Sequence, residues 1–219
     1  MKHTDKPYKL FFIFICLASL SPWVWLLVRN FTHIFPYKEP FVLENHQAII
    51  HEVNTLRGEI LASAFKPLAK FIANKPVIIT REFSIRYLSL FDPHFLFIEG
   101  SRNLLKSSRQ SGTFLLSYLP FILSGIYKLS QLKRRKTIFA LAAITPIPAI
   151  FVQERHELIS AIPLLITLTF IATLGALTLL KQKPKLMILL ILLMILEFIR
   201  FHHDFITHYP FRLIESKLF

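Results

Sequence analysis

The sequence predicts an all-α membrane protein with about five transmembrane helices and a helical extracytoplasmic cap between the first and the second. Three observations indicate this class: 53% of the 219 residues are hydrophobic, only 18% are charged, and the apolar residues gather in long runs. A water-soluble domain could not cover so much apolar surface with so few polar groups. A helix that spans a bilayer, in contrast, needs about 20 mostly apolar residues.

Five apolar runs are predicted to be membrane segments, and they lie at 10–28, 113–132, 137–152, 158–180 and 186–201. The first and fourth runs contain no charged residue, whereas the fifth contains Glu197 and Arg200. The third is interrupted by Pro146 and Pro148. Backbone carbonyls freed by such a break must be buried in protein or face a watery cavity. The break therefore favours a cavity within the bundle.

The basic residues cluster at the borders of these runs, which predicts the topology. They precede the first run and fill two short turns, KRRK at 133–136 and KQKPK at 181–185. Short loops rich in lysine and arginine mark the cytoplasmic side, so the protein is predicted to be a multi-pass protein of the cell membrane with its N-terminus in the cytoplasm. Basic clusters that fix the topology in the lipid bilayer thus account for the net charge of +13. We therefore expect the lipid bilayer, and no nucleic acid, as the partner of these basic residues.

This topology divides the chain into four regions. They are an N-terminal cytoplasmic segment with a transmembrane anchor (1–28), an extracytoplasmic helical loop domain (29–112), a four-segment transmembrane bundle (113–201) and an extracytoplasmic tail (202–219). The first run is long and lacks a small-x-small cleavage site before a polar stretch, so an uncleaved anchor is favoured over a cleaved signal peptide.

The extracytoplasmic domain is predicted to contain three amphipathic helices, at 44–56, 63–74 and 77–91, from the spacing of its apolar residues. Arg57-Gly58 is a typical stop for the first of them. The third carries Ile79, Phe83 and Tyr87 at four-residue steps. Asp92-Pro93 then ends it, and the aromatic segment at 95–98 is expected to lie at the bilayer interface, where aromatic rings are favoured.

The segment YLSLFDPHFLFIEG at 87–100 resembles a signature of bacterial membrane glycosyltransferases of the GT-C superfamily, which are relatives of the protein mannosyltransferases and the aminoarabinose transferases. Other similar pieces follow the family's order: LRGE at 56–59, ANKP at 73–76, SYLPFILSGIYKL at 117–129, ITPIPAIF at 144–151 and HHDFITHYP at 202–210. The resemblance covers most of the chain from about residue 40 onward. The chain departs from the family pattern at Arg86, Ser101 and Ile159, where the family has Asn, Asp and Arg.

The resemblance implies transfer of a sugar from a polyprenyl-phosphate carrier to a lipid, glycan or protein acceptor on the outer face of the membrane. The implied cofactor is a polyprenyl-phosphate-linked sugar donor, and the implied partner is the polyprenyl-phosphate lipid. Enzymes of this family carry their catalytic base on an acidic external loop that precedes the region resembled here. The chain is thus similar to the C-terminal half of such an enzyme, and its catalytic residues remain unidentified.

Two functions follow from this partial resemblance. One is a subunit of a split glycosyltransferase, completed by a second membrane chain that carries the catalytic loop. The other is a non-catalytic integral membrane protein, either a degenerate paralogue or an assembly or lipid-binding partner. A small transporter or channel subunit is less favoured, because the sequence has no internal repeat.

Three sets of polar residues are candidates for a site. Arg155 and His156 lie in a short polar turn where the resemblance implies binding of the lipid phosphate. His156 matches the family's histidine, whereas Arg155 precedes it instead of following it, and a solvated loop is the alternative. Glu99, His94 and Glu59 form a possible acidic or polar site, with a helix break and interfacial residues as the alternative.

The third set contains His202, His203, His208 and Asp204 near the C-terminus. Asp204 and His208 are predicted to share one helix face, but the sequence offers no fourth ligand. We therefore predict no metal site.

Overall fold

The computed structural model describes residues 7–29, 46–62, 69–101, 107–133, 135–151 and 158–218. Helices form almost all of this part of the chain, and no strand occurs in it. Eleven α-helices are described: α1 Pro7–Leu20, α2 Pro22–Arg29, α3 His46–Ala62, α4 Ala69–Ile72, α5 Lys75–Ser89, α6 Tyr118–Ser130, α7 Arg135–Ile144, α8 Ile147–Ile150, α9 Ile162–Gln182, α10 Pro184–Thr207 and α11 Tyr209–Leu218. The predicted all-α class is confirmed.

The centre of the fold is the crossing of α6 and α9, where two glycines bring the backbones into contact. A methyl group on Gly125 would collide with the carbonyl oxygen of Ile171, and one on Gly175 would collide with that of Phe121. Small residues that allow such close approach are typical of helix pairs in membranes. Helix α1 packs on α9 and α10, and buried aliphatic and aromatic side chains from all four helices form one core.

The first apolar run forms a bent pair rather than one straight helix. Helices α1 and α2 meet at Ser21 with a bend of 65°. Pro22 at the first position of α2 accounts for the break, because a proline disfavours helical backbone in the residue before it. The hydroxyl of Ser21 donates to the carbonyl of Leu17 at 3.0 Å, and the amide of Trp23 donates to Thr113 at 3.2 Å.

The far end of this bent pair is held against the last two helices. The guanidinium of Arg29 lies 4.8 Å from the ring centre of Phe205 and 5.1 Å from that of Tyr209. It also donates a hydrogen bond of 3.1 Å to the carbonyl oxygen of Phe205. The guanidinium can thus make a cation–π interaction with each of the two rings. Helix α2 is therefore joined to α10 and α11.

The described helices do not confirm five membrane spans. Helix α9, with 21 residues, is long and apolar enough to cross a bilayer, and the α1–α2 pair also qualifies if it is one broken span. The second run yields α6, which has only 13 residues. The third divides into α7 and α8 at the predicted proline break. Helix α10 continues from the fifth run to Thr207, past the predicted start of the tail.

The helices α3, α4 and α5 form the described part of the predicted cap. Ile49 and Val53 of α3 and Ile78 of α5 make a small separate core. The predicted stop at Gly58 is wrong, because α3 continues to Ala62; an internal glycine costs a helix only about 1 kcal/mol. Of the second predicted helix, residues 63–68 lie outside the described residues, and the rest forms α4. Helix α5 begins after Asn74, whose side chain accepts from the amide of Val77 at 3.0 Å.

The cap contacts the bundle through the predicted apolar face of α5. The ring of Phe83 lies 5.3 Å from that of Phe151, and the hydroxyl of Tyr87 donates to the carbonyl of Ala143 at 3.0 Å. Arg86, on another side of α5, is buried with its Nε atom 3.8 Å from the carboxylate of Glu82. The cap is therefore packed against α7, α8 and the residue that follows α8.

Candidate functional site

The aromatic segment at 95–98 forms one π-helical turn, His94–Ile98, that is anchored in the core. Its start is held by Asp92, whose carboxylate accepts from the amide of His94 at 3.0 Å. Phe95 and Leu96 are buried, and their carbonyl oxygens accept from the amides of Thr113 and Phe114 at 3.2 and 2.7 Å. Phe97 and Ile98, on the other side of the turn, remain available to line a cavity.

A cleft of about 500 Å³, here called the Arg200 cleft, separates this turn from the second half of α10. The segment before α6 forms its third wall. Five of the twelve lining side chains are apolar, and the polar ones come chiefly from α10 and from the residue that follows it. The lining comprises Phe97, Ile98, Gln110, Ser111, Leu115, Leu116, Glu197, Arg200, Phe201, His203, Asp204 and His208.

Glu197 connects this cleft to the start of α6. Its carboxylate accepts from the backbone amide of Ser117 at 3.0 Å and from the Ser117 hydroxyl at 2.8 Å. Ser117 immediately precedes α6, so the carboxylate lies at the end of a helix whose free amides carry partial positive charge. Arg200 lies three positions after Glu197 but forms no ion pair within the part of the chain described, and its side chain is exposed in the cleft.

Asp204, the second carboxylate of the cleft, is bound by an arginine of α11. Both of its oxygens accept from Arg212 at 2.5 Å, and the other terminal nitrogen of Arg212 donates to the carbonyl of Ser108 at 2.6 Å. A single terminal nitrogen of Arg212 lies within reach of both oxygens, and hydrogen bonds between two charged groups are stronger than those between neutral groups. Asp204 is therefore already neutralised where it meets the cleft.

The histidines of the candidate set point in two directions. His203 and His208 both line the cleft, with their ring centres 5.8 Å apart. His202 instead lies against Trp25, with ring centres 4.7 Å apart. The predicted common face of Asp204 and His208 is confirmed, since both line the same cleft. No group of three residues suited to hold a metal ion occurs in the described ranges.

The other predicted site residues lie outside this cleft. His94 and Glu99 face each other at 3.9 Å, and both side chains are largely exposed to solvent. Glu59 is exposed on α3 and does not line the cleft. Arg57, two positions before Glu59, donates to the carbonyl of Ala73 at 2.9 Å. Arg155 and His156 lie outside the described residues.

Ser117 and Arg212 are the important residues that sequence reasoning missed. Ser117 lies 80 positions from its partner Glu197, and no local pattern reports such a contact. Arg212 lies eight positions after Asp204, but the helix ends between them at Thr207. A weak signal for Arg212 exists in the sequence, because it is the one charged residue in the otherwise apolar stretch at 209–214, which follows soon after Asp204.

The cleft is chemically suited to bind an anion attached to an apolar body. Asp204 is paired with Arg212, and Glu197 is held by two donors at the start of α6. Arg200 and the two histidines remain to donate hydrogen bonds. The aromatic and aliphatic walls would contact the apolar part of the ligand.

Glu197 is expected to stabilise the start of α6. Replacing it with alanine leaves the buried amide and hydroxyl of Ser117 without their acceptor, and we expect a loss of about 2 kcal/mol in the free energy of unfolding. Glu197→Gln keeps an oxygen acceptor and should lower the free energy of unfolding by clearly less than Glu197→Ala does. Thermal denaturation of both variants tests this, and equal melting temperatures for both and for the wild type would contradict it.

In comparisons with known proteins, the chain matches no family model, no curated protein and no solved structure.

Proposed function

We propose that this chain is an integral membrane protein whose Arg200 cleft binds the phosphate group of a polyprenyl lipid. In this proposal it serves as a subunit of a GT-C-like glycosyltransferase that transfers sugar on the outer face of the membrane. The observation that carries the proposal is the Arg200 cleft itself, which combines an unpaired arginine and two histidines with apolar walls. The resemblance from residue 40 onward supplies the class of lipid.

Exposed apolar side chains support an environment of lipid. Helix α9 is long and apolar enough to span a bilayer. Helix α10 buries only one stripe against its neighbours and exposes large aliphatic residues around the rest of its surface: Leu186, Ile188, Leu189, Leu192, Leu193, Ile195, Leu196 and Ile199. A contiguous apolar surface of this kind marks a membrane or partner interface.

The distribution of charged residues supports the predicted orientation. Lys128 in the last turn of α6 and Lys181 in the last turn of α9 lie together with Leu10 from the start of α1. This end of the bundle also carries the KQKPK turn. The Arg200 cleft lies at the other end of α6 and α9, and in our proposal it faces the outside. Positive residues concentrated at one end are the usual mark of the cytoplasmic side.

The state of the carboxylates supports a binding role over catalysis by this chain alone. A general base needs a carboxylate that is free to accept a proton within reach of the substrate. In the Arg200 cleft, Asp204 and Glu197 are both already engaged, and Glu99 and Glu59 lie elsewhere. This observation favours a subunit that needs a second chain for its base, and it equally favours the alternative of a non-catalytic lipid-binding partner.

We expect Arg200→Ala to weaken binding of polyprenyl phosphate about ten- to a hundredfold, because one charge-assisted hydrogen bond contributes about 1.5–3 kcal/mol. Arg135→Ala, which removes an exposed arginine from the start of α7, is the matched control and should bind normally. Binding is measured in detergent micelles by native mass spectrometry, with the uncharged polyprenol as the ligand control. Equal binding of polyprenol and polyprenyl phosphate, or an unchanged affinity in Arg200→Ala, would contradict the proposal.

The catalytic part of the proposal has its own test. The purified chain, given a polyprenyl-phosphate-linked sugar, should transfer no sugar alone and should do so when combined with a membrane chain that carries an external acidic loop. If the chain binds the polyprenyl-phosphate-linked sugar but transfers no sugar either alone or with the second chain, the function is that of a non-catalytic lipid-binding partner.

A further inference from the structure

A second cleft, here called the Lys181 cleft, lies at the opposite end of the α6–α9 pair. It has a volume of about 390 Å³ and is formed by the start of α1 and the ends of α6 and α9. Helix α6 has 13 residues between the two clefts, which at about 1.5 Å per residue separates them by roughly 20 Å. The two clefts are therefore distinct sites.

The lining of the Lys181 cleft has one cationic side and one apolar side. Lys128, Lys181 and Gln182 supply nitrogen donors, and Leu10, Leu174 and Leu177 supply the apolar surface. None of the described residues that line it is acidic. Lysines in the last turn of a helix also offset the partial negative charge of its free carbonyls. Such an interaction with helix carbonyls does not require a cavity. It also does not require that lysines of two different helices line the same cavity, as they do here.

We propose that the Lys181 cleft binds the headgroup of an anionic phospholipid, with the phosphate against Lys128 and Lys181 and the upper acyl chain against the three leucines. Basic pockets between helices at the cytoplasmic side of a membrane bind such headgroups. This site rests on the membrane insertion in the proposed function, and it is independent of the polyprenyl lipid and of sugar transfer. A free phosphate ion would satisfy the lysines but would leave the leucine surface without a partner, which favours the lipid as the source of the phosphate.

The test compares two double variants that lose the same charge. Lys128→Gln with Lys181→Gln removes both cations of the cleft, and Lys183→Gln with Lys185→Gln removes two neighbouring exposed cations that do not line it. The full chain is purified in detergent micelles and titrated with phosphatidylglycerol, phosphatidylcholine or glycerol phosphate. Bound ligand is counted by native mass spectrometry.

We expect the first double variant to bind phosphatidylglycerol about thirtyfold more weakly, since each lysine near a lipid surface contributes about 1 kcal/mol. The control pair should change the affinity by less than about threefold. Replacing both cleft lysines with arginine should retain binding, which separates lost recognition from misfolding. Wild-type protein should prefer phosphatidylglycerol to phosphatidylcholine and to glycerol phosphate.

Three results would overturn the proposal: an equal loss in the two glutamine pairs, equal affinity for phosphatidylcholine, or equal affinity for glycerol phosphate. Failure of polyprenyl phosphate to bind, with phosphatidylglycerol binding intact, would contradict the proposed function alone. Binding of polyprenyl phosphate without binding of phosphatidylglycerol would contradict only the phospholipid site proposed at the Lys181 cleft.

Discussion

Gly175→Ala is expected to destabilise the protein by about 3 kcal/mol or more, the largest effect that we predict for a single methyl group. The added carbon collides with the carbonyl oxygen of Phe121, which belongs to the backbone of α6 and cannot rotate away. Overpacking of a close contact costs about 1–3 kcal/mol even where side chains can adjust. For a protein of this size the melting temperature should fall by roughly 10 °C.

Gly58→Ala is the matched control for this prediction. Gly58 is also inside a helix, but apart from the backbone around it no atom of the described residues lies within 4 Å of an added methyl group. Alanine should therefore leave stability unchanged or raise it by about 0.5–1 kcal/mol, because glycine is the poorer helix former. Both variants are compared by thermal denaturation in detergent, followed by circular dichroism. Equal melting temperatures for Gly175→Ala and the wild type would show that α6 and α9 are not in backbone contact.

The second large effect is expected from the Asp204–Arg212 pair. Arg212→Met removes the donor to both oxygens of Asp204 and leaves a carboxylate in a partly buried position. Breaking a buried pair from one side costs about 3–5 kcal/mol, and the partial exposure of this pair places the expected loss near the lower value, about 3 kcal/mol. The connection from α11 to Ser108 is lost in the same variant.

A double-mutant cycle separates the ion pair from simple loss of packing. Asp204→Asn combined with Arg212→Met leaves no charge behind, so the double variant should be less destabilised than the sum of the two single variants by about 1–2 kcal/mol. Strict additivity of the two single effects would show that the two side chains do not interact, and that Arg212 acts only through Ser108.

The sequence predicted those parts of the fold that depend on local composition. The uninterrupted run at 158–180 became α9, and the two prolines at 146 and 148 divided the third run where expected. The start of α6 was missed because the amides of Thr113 and Phe114 bind the π-helical turn, a contact between distant segments. The bend at Ser21 had a signal in Pro22, but the apolar run through it hid the break.

The candidate site, too, was predictable only where it depends on the local sequence. Glu197 and Arg200 stand out in the sequence as charges in an apolar run, and Asp204 and His208 as members of a histidine-rich set, and the fold brings all four to one cleft. Charges inside apolar helices are costly and often functional, so their position alone is informative. Glu99, His94 and Glu59 were chosen for their position in or near the motif pieces, which does not reveal whether a side chain faces a cavity.

The contact of Arg29 with Phe205 and Tyr209 has a consequence for biogenesis. Arg29 and Phe205 are 176 positions apart, so nearly the whole chain must leave the ribosome before this contact can form. The contact between α2 and the last two helices therefore forms only after those helices have been synthesised. A chain that ends before α11 lacks Tyr209, and Arg29 then loses one of its two aromatic partners.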